Sequence, residues 1–335
     1  MYSVTSNVNK VRQPWSTPRG LFSLRRQLLY IDVAEATFTR RRFHSKDDRA
    51  RKRLEEIGTT FLLGYNAAIE ENDLSLLVKR LSFIAQERRG FAFEGAAMGL
   101  TLLDALTPWN KGRLLTFING EGAGANHVYM AHVGSGWAIA RLPWLRWNLK
   151  NFLRRLDPLL RWLALDGYGF HEGYFNWPRY VEEQQLPKQL SAYGVRAFDQ
   201  GLGRSLWFVA GADVDRIPSL IGKFPSYRRA DLWSGIGLAC AYAGGVSSNE
   251  IQAVRKAADG YCAHLAQGAA FAAKCRQLAA NETQHTDLAC HIFAGVSANQ
   301  AAAVTDEALK DLTEDDREPA YEVWRERIRT NLSGN

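Results

Sequence analysis

A glycine-and-aromatic motif recurs six times along this 335-residue chain, each copy opening an apolar, alanine-rich stretch. The copies are GFAFEGAAMGL ending at Leu100, VGSGWAIARL ending at Leu142 and GYGFHEGYF ending at Phe175. They continue as QGLGRSLWF ending at Phe208, LWSGIGLACAYAG ending at Gly244 and LAQGAAFAAKC ending at Cys275. Aligned on Gly95, Gly136, Gly173, Gly203, Gly237 and Gly268, they lie 41, 37, 30, 34 and 31 residues apart. A spacing of that size is one helix-turn-helix unit. One such unit cannot bury its own apolar face, so neighbours must stack and share a core. The expectation is an all-α fold in which degenerate helical-hairpin repeats form a toroid or solenoid around an apolar cavity. The simpler alternative is an irregular helical domain that keeps glycine wherever helices cross closely.

Local signals agree with helices. Arg51 to Ile69 places Leu54, Ile57, Phe61, Tyr65 and Ala68 at helical spacing, with charges on the other face. Ser247 stands three residues before Glu250 and Ser297 three before Gln300, the spacing of a capping box. A last helix is expected over 319–331. Leu114 to Ile118 and Ser205 to Ala210 have strand-like composition, but each is short and isolated.

Composition narrows the classes. Hydrophobic residues make up 46% and charged residues 23%, a globular balance. Residues 1–31 hold Lys10, Arg12, Arg19, Arg25 and Arg26 and no acid, so the expected organisation is a disordered basic lead over 1–20 and a single helical-repeat domain over 21–332. The net charge of +7 comes without any zinc-finger, RRM or helix-turn-helix signature, so no nucleic-acid partner is expected. No run of eighteen apolar residues occurs, so no membrane span is expected. Cys240, Cys262, Cys275 and Cys290 form no CxxC pair and lie among small apolar residues, which predicts free, buried thiols and a cytoplasmic location.

The densest chemical constellation is Asp166-Gly-Tyr-Gly-Phe-His171-Glu172-Gly-Tyr-Phe. Aromatic walls lower the local dielectric and raise a carboxyl's pKa, which is what a general acid requires. Asp166, His171 and Glu172 are therefore the candidate catalytic residues; if they are structural, Asp166 caps a helix and His171 bonds a backbone carbonyl. A second group is Asp199 with Arg204, followed by Arg228, Asp231 and Trp233; Asp199 and Arg204 either orient each other to receive an anion or, the preferred reading, belong to a buried ion pair that holds successive hairpins together. Glu94 is a lone carboxylate among aromatics and repeats the position of Glu172. Candidate substrate-binding residues are Glu94, Phe91, Phe93, Tyr168, Phe170, Asp199, Arg204, Trp207 and Trp233. His127 and His132 are five apart and His285 and His291 six apart, neither on one helix face, so no metal and no cofactor is expected.

The runs FSLRRQLLYIDVAEATFTRRRF, GFAFEGAAMGLTLLDAL, DGYGFHEGYF, DQGLGRSLWFV and LWSGIGLACAYAGG together resemble a bacterial family of unknown function encoded in natural-product gene clusters, notably beside enediyne polyketide synthases. The resemblance spans Leu21 to Leu332. It implies a biosynthetic setting with a long, unsaturated, apolar substrate, and it carries over no catalytic residue. The resulting expectation is a cyclase or isomerase acting on a polyene or isoprenoid-like chain by proton-initiated chemistry. The alternative is a non-catalytic helical-repeat protein that carries an intermediate or scaffolds partner biosynthetic enzymes.

Overall fold

Seven long helices follow one another along the chain: α1 (Asp48–Glu70), α2 (Arg89–Leu106), α3 (Val128–Arg141), α4 (Arg161–Phe175), α5 (Ala192–Val209), α6 (Ser226–Ala243) and α7 (Cys262–Leu278). A further helix, α8 (Ala320–Ser333), closes the chain, and short helices such as Leu74–Ser82, Arg216–Gly222 and Ser248–Ala258 make the connections. The computed structural model describes residues 21–107, 112–120, 123–312 and 318–333, and among these residues no strand occurs. The lead expected over residues 1–20 lies outside the described residues.

The helices begin where their caps dictate. Asp47 accepts from the amides of Arg49 and Ala50 at the start of α1, and Leu54, Ile57, Phe61, Tyr65 and Ala68 are buried along it. Both Ser247–Glu250 and Ser297–Gln300 close reciprocal capping boxes. The two segments of strand-like composition are helical instead. Leu114 to Ile118 lies inside the Arg113–Asn119 helix and Ser205 to Val209 inside α5. The end of α5 is buried on all sides, and a helix surrounded by protein presents the same unbroken apolar run as a buried strand.

Glycine decides how the long helices meet. Four of them carry Gly-x-Gly: Gly134 and Gly136, Gly167 and Gly169, Gly201 and Gly203, Gly235 and Gly237. Two residues turn a helix through about 200°, so the members of a pair face opposite neighbours. Gly201 meets the Asp166 carbonyl of α4 while Gly203 meets the Leu232 carbonyl of α6. Gly235 meets the Gln200 carbonyl of α5 while Gly237 meets the Leu265 carbonyl of α7. A Cβ on any of the eight would stand 1.7 to 2.2 Å from a carbonyl oxygen of the adjoining helix. Successive long helices therefore touch backbone to backbone. Gly95 and Gly99 meet the carbonyls of Phe61 and Tyr65, four residues on in both helices, so α1 and α2 run parallel. In α5 and α6, Asp199 pairs with Arg228 near one end and Trp207 donates to the Gly244 carbonyl at the other, again parallel.

The six copies of the motif thus lie in the six long helices α2 to α7. The register needs correcting in α4. The glycine pairs lie 33, 34 and 34 residues apart, and the counterpart of Gly136 and Gly203 is Gly169, not Gly173. Gly173 faces the Ser205 hydroxyl instead of a backbone. The slip arises because α4 carries a third glycine and the sequence does not say which two face neighbours.

Gly201→Ala tests this arrangement. Helix propensity alone favours alanine by about 1 kcal/mol. The new Cβ would stand 1.7 Å from the Asp166 carbonyl oxygen, however. Overfilling of that kind costs about 1–3 kcal/mol or more, so the denaturation midpoint should fall. Gly222→Ala, with nothing within 4 Å of its Cβ, should leave the midpoint unchanged or raise it.

One contiguous hydrophobic core takes in residues from Ile31 to Leu332. Among the described residues, no helix is long and apolar enough to cross a membrane. The four cysteines are free but differ in environment. Cys240 and Cys290 are buried, and burial pushes the Cys290 thiol up to about 12. Cys262, expected to be buried, is partly exposed at the head of α7 and donates to the Arg255 carbonyl.

Candidate active site

The residue just before a glycine at which two long helices meet is repeatedly polar. Glu94, Asp166, Gln200, Ser234 and Gln267 precede Gly95, Gly167, Gly201, Gly235 and Gly268, and each is at most 2% exposed. On neighbouring helices they come within hydrogen-bonding reach. The Gln200 side-chain amide donates to Asp166 at 2.8 Å, and the Ser234 hydroxyl is 3.3 Å from the Gln200 Oε1 and 2.8 Å from the Gln267 Oε1. Beyond Gln267 the ladder joins Arg325 of α8, which also bonds Asp231 and Glu322. Against burial, Arg325, Arg329 and Arg196 hold the Glu322 carboxyl down at about 2. This end of the ladder is an ionic cluster that fastens α8 to α5 and α6.

The other end is different. Arg204 of α5 donates to Asp166 and reaches toward Glu94, 3.8 Å away, so one buried guanidinium joins carboxyls of α4 and α2. Its cationic face lies 4.9 Å from the Phe170 ring. Glu94 accepts 3.1 Å from the Trp137 indole nitrogen. Burial raises the Glu94 pKa to about 7; Arg204 and the Trp137 bond pull it down, and Asp166 pushes it up.

Glu94 faces a narrow cavity of about 580 Å³ of space between atoms, its mouth included. The walls come from successive helices: Phe61 of α1, Phe91 of α2, Trp137 of α3, Phe170 of α4, Phe208 of α5 and Tyr242 of α6. Phe61 and Trp137 are 4.1 Å apart, centroid to centroid, and Trp137 and Phe170 5.1 Å. A second apolar space of about 390 Å³ is lined by Met130, Leu163, Phe271, Cys275 and Trp324 and touches Asp166. Arg204 and Leu238 line both, so the ion pair stands where the two spaces meet. An apolar enclosure with a few converging polar groups is the usual form of a small-molecule site.

The three residues closest in sequence are not brought together. Asp166 caps no helix; it serves Arg204 and Gln200 on the side of α4 toward α5. Glu172 accepts 2.6 Å from Asn176 on another face of α4, where burial raises its pKa against the pull of Arg146 and Arg179. His171 bonds no carbonyl. Both of its ring nitrogens are without a hydrogen-bond partner, and its ring lies 5.6 Å from Trp137 and 4.7 Å from Phe175. Burial, with Arg141 and Arg146, lowers its pKa to about 3, so the imidazole is neutral. The counterpart of Glu94 is Asp166 rather than Glu172, the same register slip at Gly173.

Phe91 and Phe170 line the cavity with Glu94 and Arg204. Phe93 points elsewhere, stacking on Phe117 and on His127 at 4.1 Å. Tyr168 meets Phe198 edge-on. Trp207 donates to the Gly244 carbonyl, and neither it nor the buried Trp233 lines the cavity. Asp199 does not orient Arg204. It pairs with Arg228, the Nε bond being 2.8 Å, and burial raises its pKa to about 6 against that pairing. The imidazoles of His132 and His285 are held by the carbonyls of Val128 and Cys240, and no group of three metal-binding side chains occurs among the described residues.

Phe61, Trp137, Phe208 and Tyr242 are cavity residues that the motif reading did not single out. A signal for several of them exists. Phe170, Arg204 and Leu238 are each 34 residues apart, as are Tyr174, Phe208 and Tyr242 one turn later, and all six line the cavity.

No curated protein and no solved structure matches this chain. A family model does: residues 21–332 match the family described as "Protein of unknown function (DUF1702)", and the chain belongs to that family.

Proposed function

We propose that this protein is a biosynthetic enzyme that encloses a slender, unsaturated, apolar chain and isomerises or cyclises it by moving a proton, with Glu94 giving and taking that proton. In this reading the long helices are degenerate repeats wrapped as a ring about the interior. The regular glycine pairs support it, as does the meeting of α1 through α6 at one cavity. The resemblance to a family found in natural-product clusters supplies the biosynthetic setting.

The observation that carries the reading is the buried Glu94 carboxyl, poised at about 7, against an apolar aromatic wall. A group whose pKa lies near the working pH is best suited to transfer a proton in both directions. Asp166 already compensates Arg204, so Glu94 can become neutral without orphaning that cation. Protonated Glu94 would donate to one carbon of a conjugated chain, the alkene electron pair forming the new C–H bond. The cation left behind is stabilised by the faces of Trp137, Phe61 and Phe170. A second double bond can attack it to close a ring, or it can stay open. Loss of a proton from an adjacent carbon to the Glu94 carboxylate then restores the enzyme. No electron is gained or lost.

The test starts with protein purified from a natural-product-producing bacterium, whose apolar ligand is identified by native mass spectrometry. Incubated with that ligand in D₂O, wild-type protein should place deuterium on carbon and Glu94→Gln should not. Retention of the ligand with neither exchange nor rearrangement would replace the enzyme reading with that of a carrier.

A further inference from the structure

Among the polar side chains that line the cavity, the Tyr242 hydroxyl is the one left without a hydrogen-bond partner. Tyr242 lines the cavity from α6 and is 3% exposed. Buried hydroxyls are nearly always paired, because leaving one unpaired forfeits its hydration without return. The fold nevertheless makes room for it. The hydroxyl lies against Gly90 in the first turn of α2, where an added Cβ would stand 2.0 Å from the phenolic oxygen. Alanine would serve the helix better than glycine, so at this position the chain gives up helix stability for a group that bonds nothing within the protein.

The ring cannot swing away to find a partner. Phe91 meets it edge-on at 5.0 Å, and the Arg276 guanidinium lies 4.3 Å above it. Arg276 is itself fixed by the carbonyls of Tyr242, Glu87 and Asn281. Glu94 follows Gly90 by one helical turn and so lies on the same face of α2. The backbones of Gly90, beside the hydroxyl, and Glu94 are thus about 6 Å apart along the helix axis.

We infer that Tyr242 donates its hydroxyl hydrogen to an oxygen atom of the substrate, which makes the substrate class an oxygenated polyene, carbonyl- or hydroxyl-bearing, rather than a pure hydrocarbon. The inference rests on the cavity being a substrate site. The anchored oxygen fixes which carbon faces Glu94: a double bond a few bonds from the oxygen. A buried water is the rival partner for the hydroxyl, and it would give no preference between ligands.

The probes are conjugated polyenals of increasing length and the matched polyene hydrocarbons, titrated into full-length protein with tryptophan fluorescence as readout. Wild type should bind the best polyenal about tenfold more tightly than its hydrocarbon, the size of one neutral hydrogen bond. Tyr242→Phe should bind the two equally, with hydrocarbon affinity unchanged. The variant should also melt at the same temperature or slightly higher without ligand, because a hydroxyl lacking a partner contributes nothing to hold the fold. A preference that persists in Tyr242→Phe, no preference in wild type, or binding of neither series would overturn the inference. Any of these leaves the deuterium test of Glu94 standing, and a failed deuterium test leaves the polyenal preference measurable. The two readings therefore fail separately.

Discussion

Glu94→Gln is expected to abolish turnover while the protein stays folded. The amide keeps the shape and can still accept from Trp137, but it has no proton to give. Removal of a general acid typically costs about 10²–10⁴-fold in rate. In wild type the acid form is the active one, so the rate should be full below pH 7 and fall as pH rises through about 7. Asp166→Asn should move that fall to lower pH, because the Asp166 charge is one of the influences raising Glu94. Glu172→Gln, on another face of α4, should leave the profile in place. Stability follows the same group with a definite sign. The Glu94 carboxyl is raised from 4.5 to about 7 on folding, so the folded state holds the proton more tightly than the unfolded chain. The stabilisation is full below the unfolded value and is lost as pH rises through about 7. Glu94→Gln should flatten that part of the stability–pH curve. An unchanged rate profile in the glutamine variant would remove Glu94 from the chemistry.

Arg204→Met is expected to give the largest loss of stability among site substitutions. Arg204 is 4% exposed and is the cation facing both Asp166 and Glu94. Methionine fills part of the space but leaves two carboxyls buried without it. Removing one partner of a buried ion pair typically costs about 3–5 kcal/mol, readable as a lower denaturant midpoint. Neutral pH should magnify the loss and mildly acidic pH reduce it, since protonation removes the uncompensated charge. In whatever fraction stays folded, the Glu94 pKa should rise further, because Arg204 is the largest influence lowering it. The activity limb would then shift toward alkaline pH. Arg204→Lys, which keeps the charge but loses the planar fork, should fall between the two. A methionine variant as stable as wild type would mean that the pair contributes little and that nearby polar groups suffice.

Much of the site was written in the chain before any contact was known. The aromatic-flanked Glu94 and Asp166 and the arginine of DQGLGRSLWF all stand out in the sequence as ionisable residues in apolar surroundings. Their grouping was not. Sequence proximity suggested Asp166 with His171 and Glu172, and Asp199 with Arg204. The helix turns the first three onto different faces, and the fold gives Asp199 to Arg228 instead. Glu94 and Arg204 are 110 residues apart in the sequence, and no local rule pairs them.

The sequence by itself determined that the chain is helical, where several helices begin, and that glycine recurs at their closest approaches. These follow from local physics: a capping serine reaches its own helix amides, and apolar side chains at helical spacing need a common face to bury. Only the tertiary structure decided which glycine of α4 meets which neighbour, and hence that Asp166, not Glu172, is the counterpart of Glu94. It alone decided that Arg204 lies between two carboxyls and that the Tyr242 hydroxyl is left without a partner beside Gly90. The reason is burial. A carboxyl's proton affinity and a hydroxyl's lack of partners depend on what every surrounding helix contributes, and that is fixed only when the helices have met.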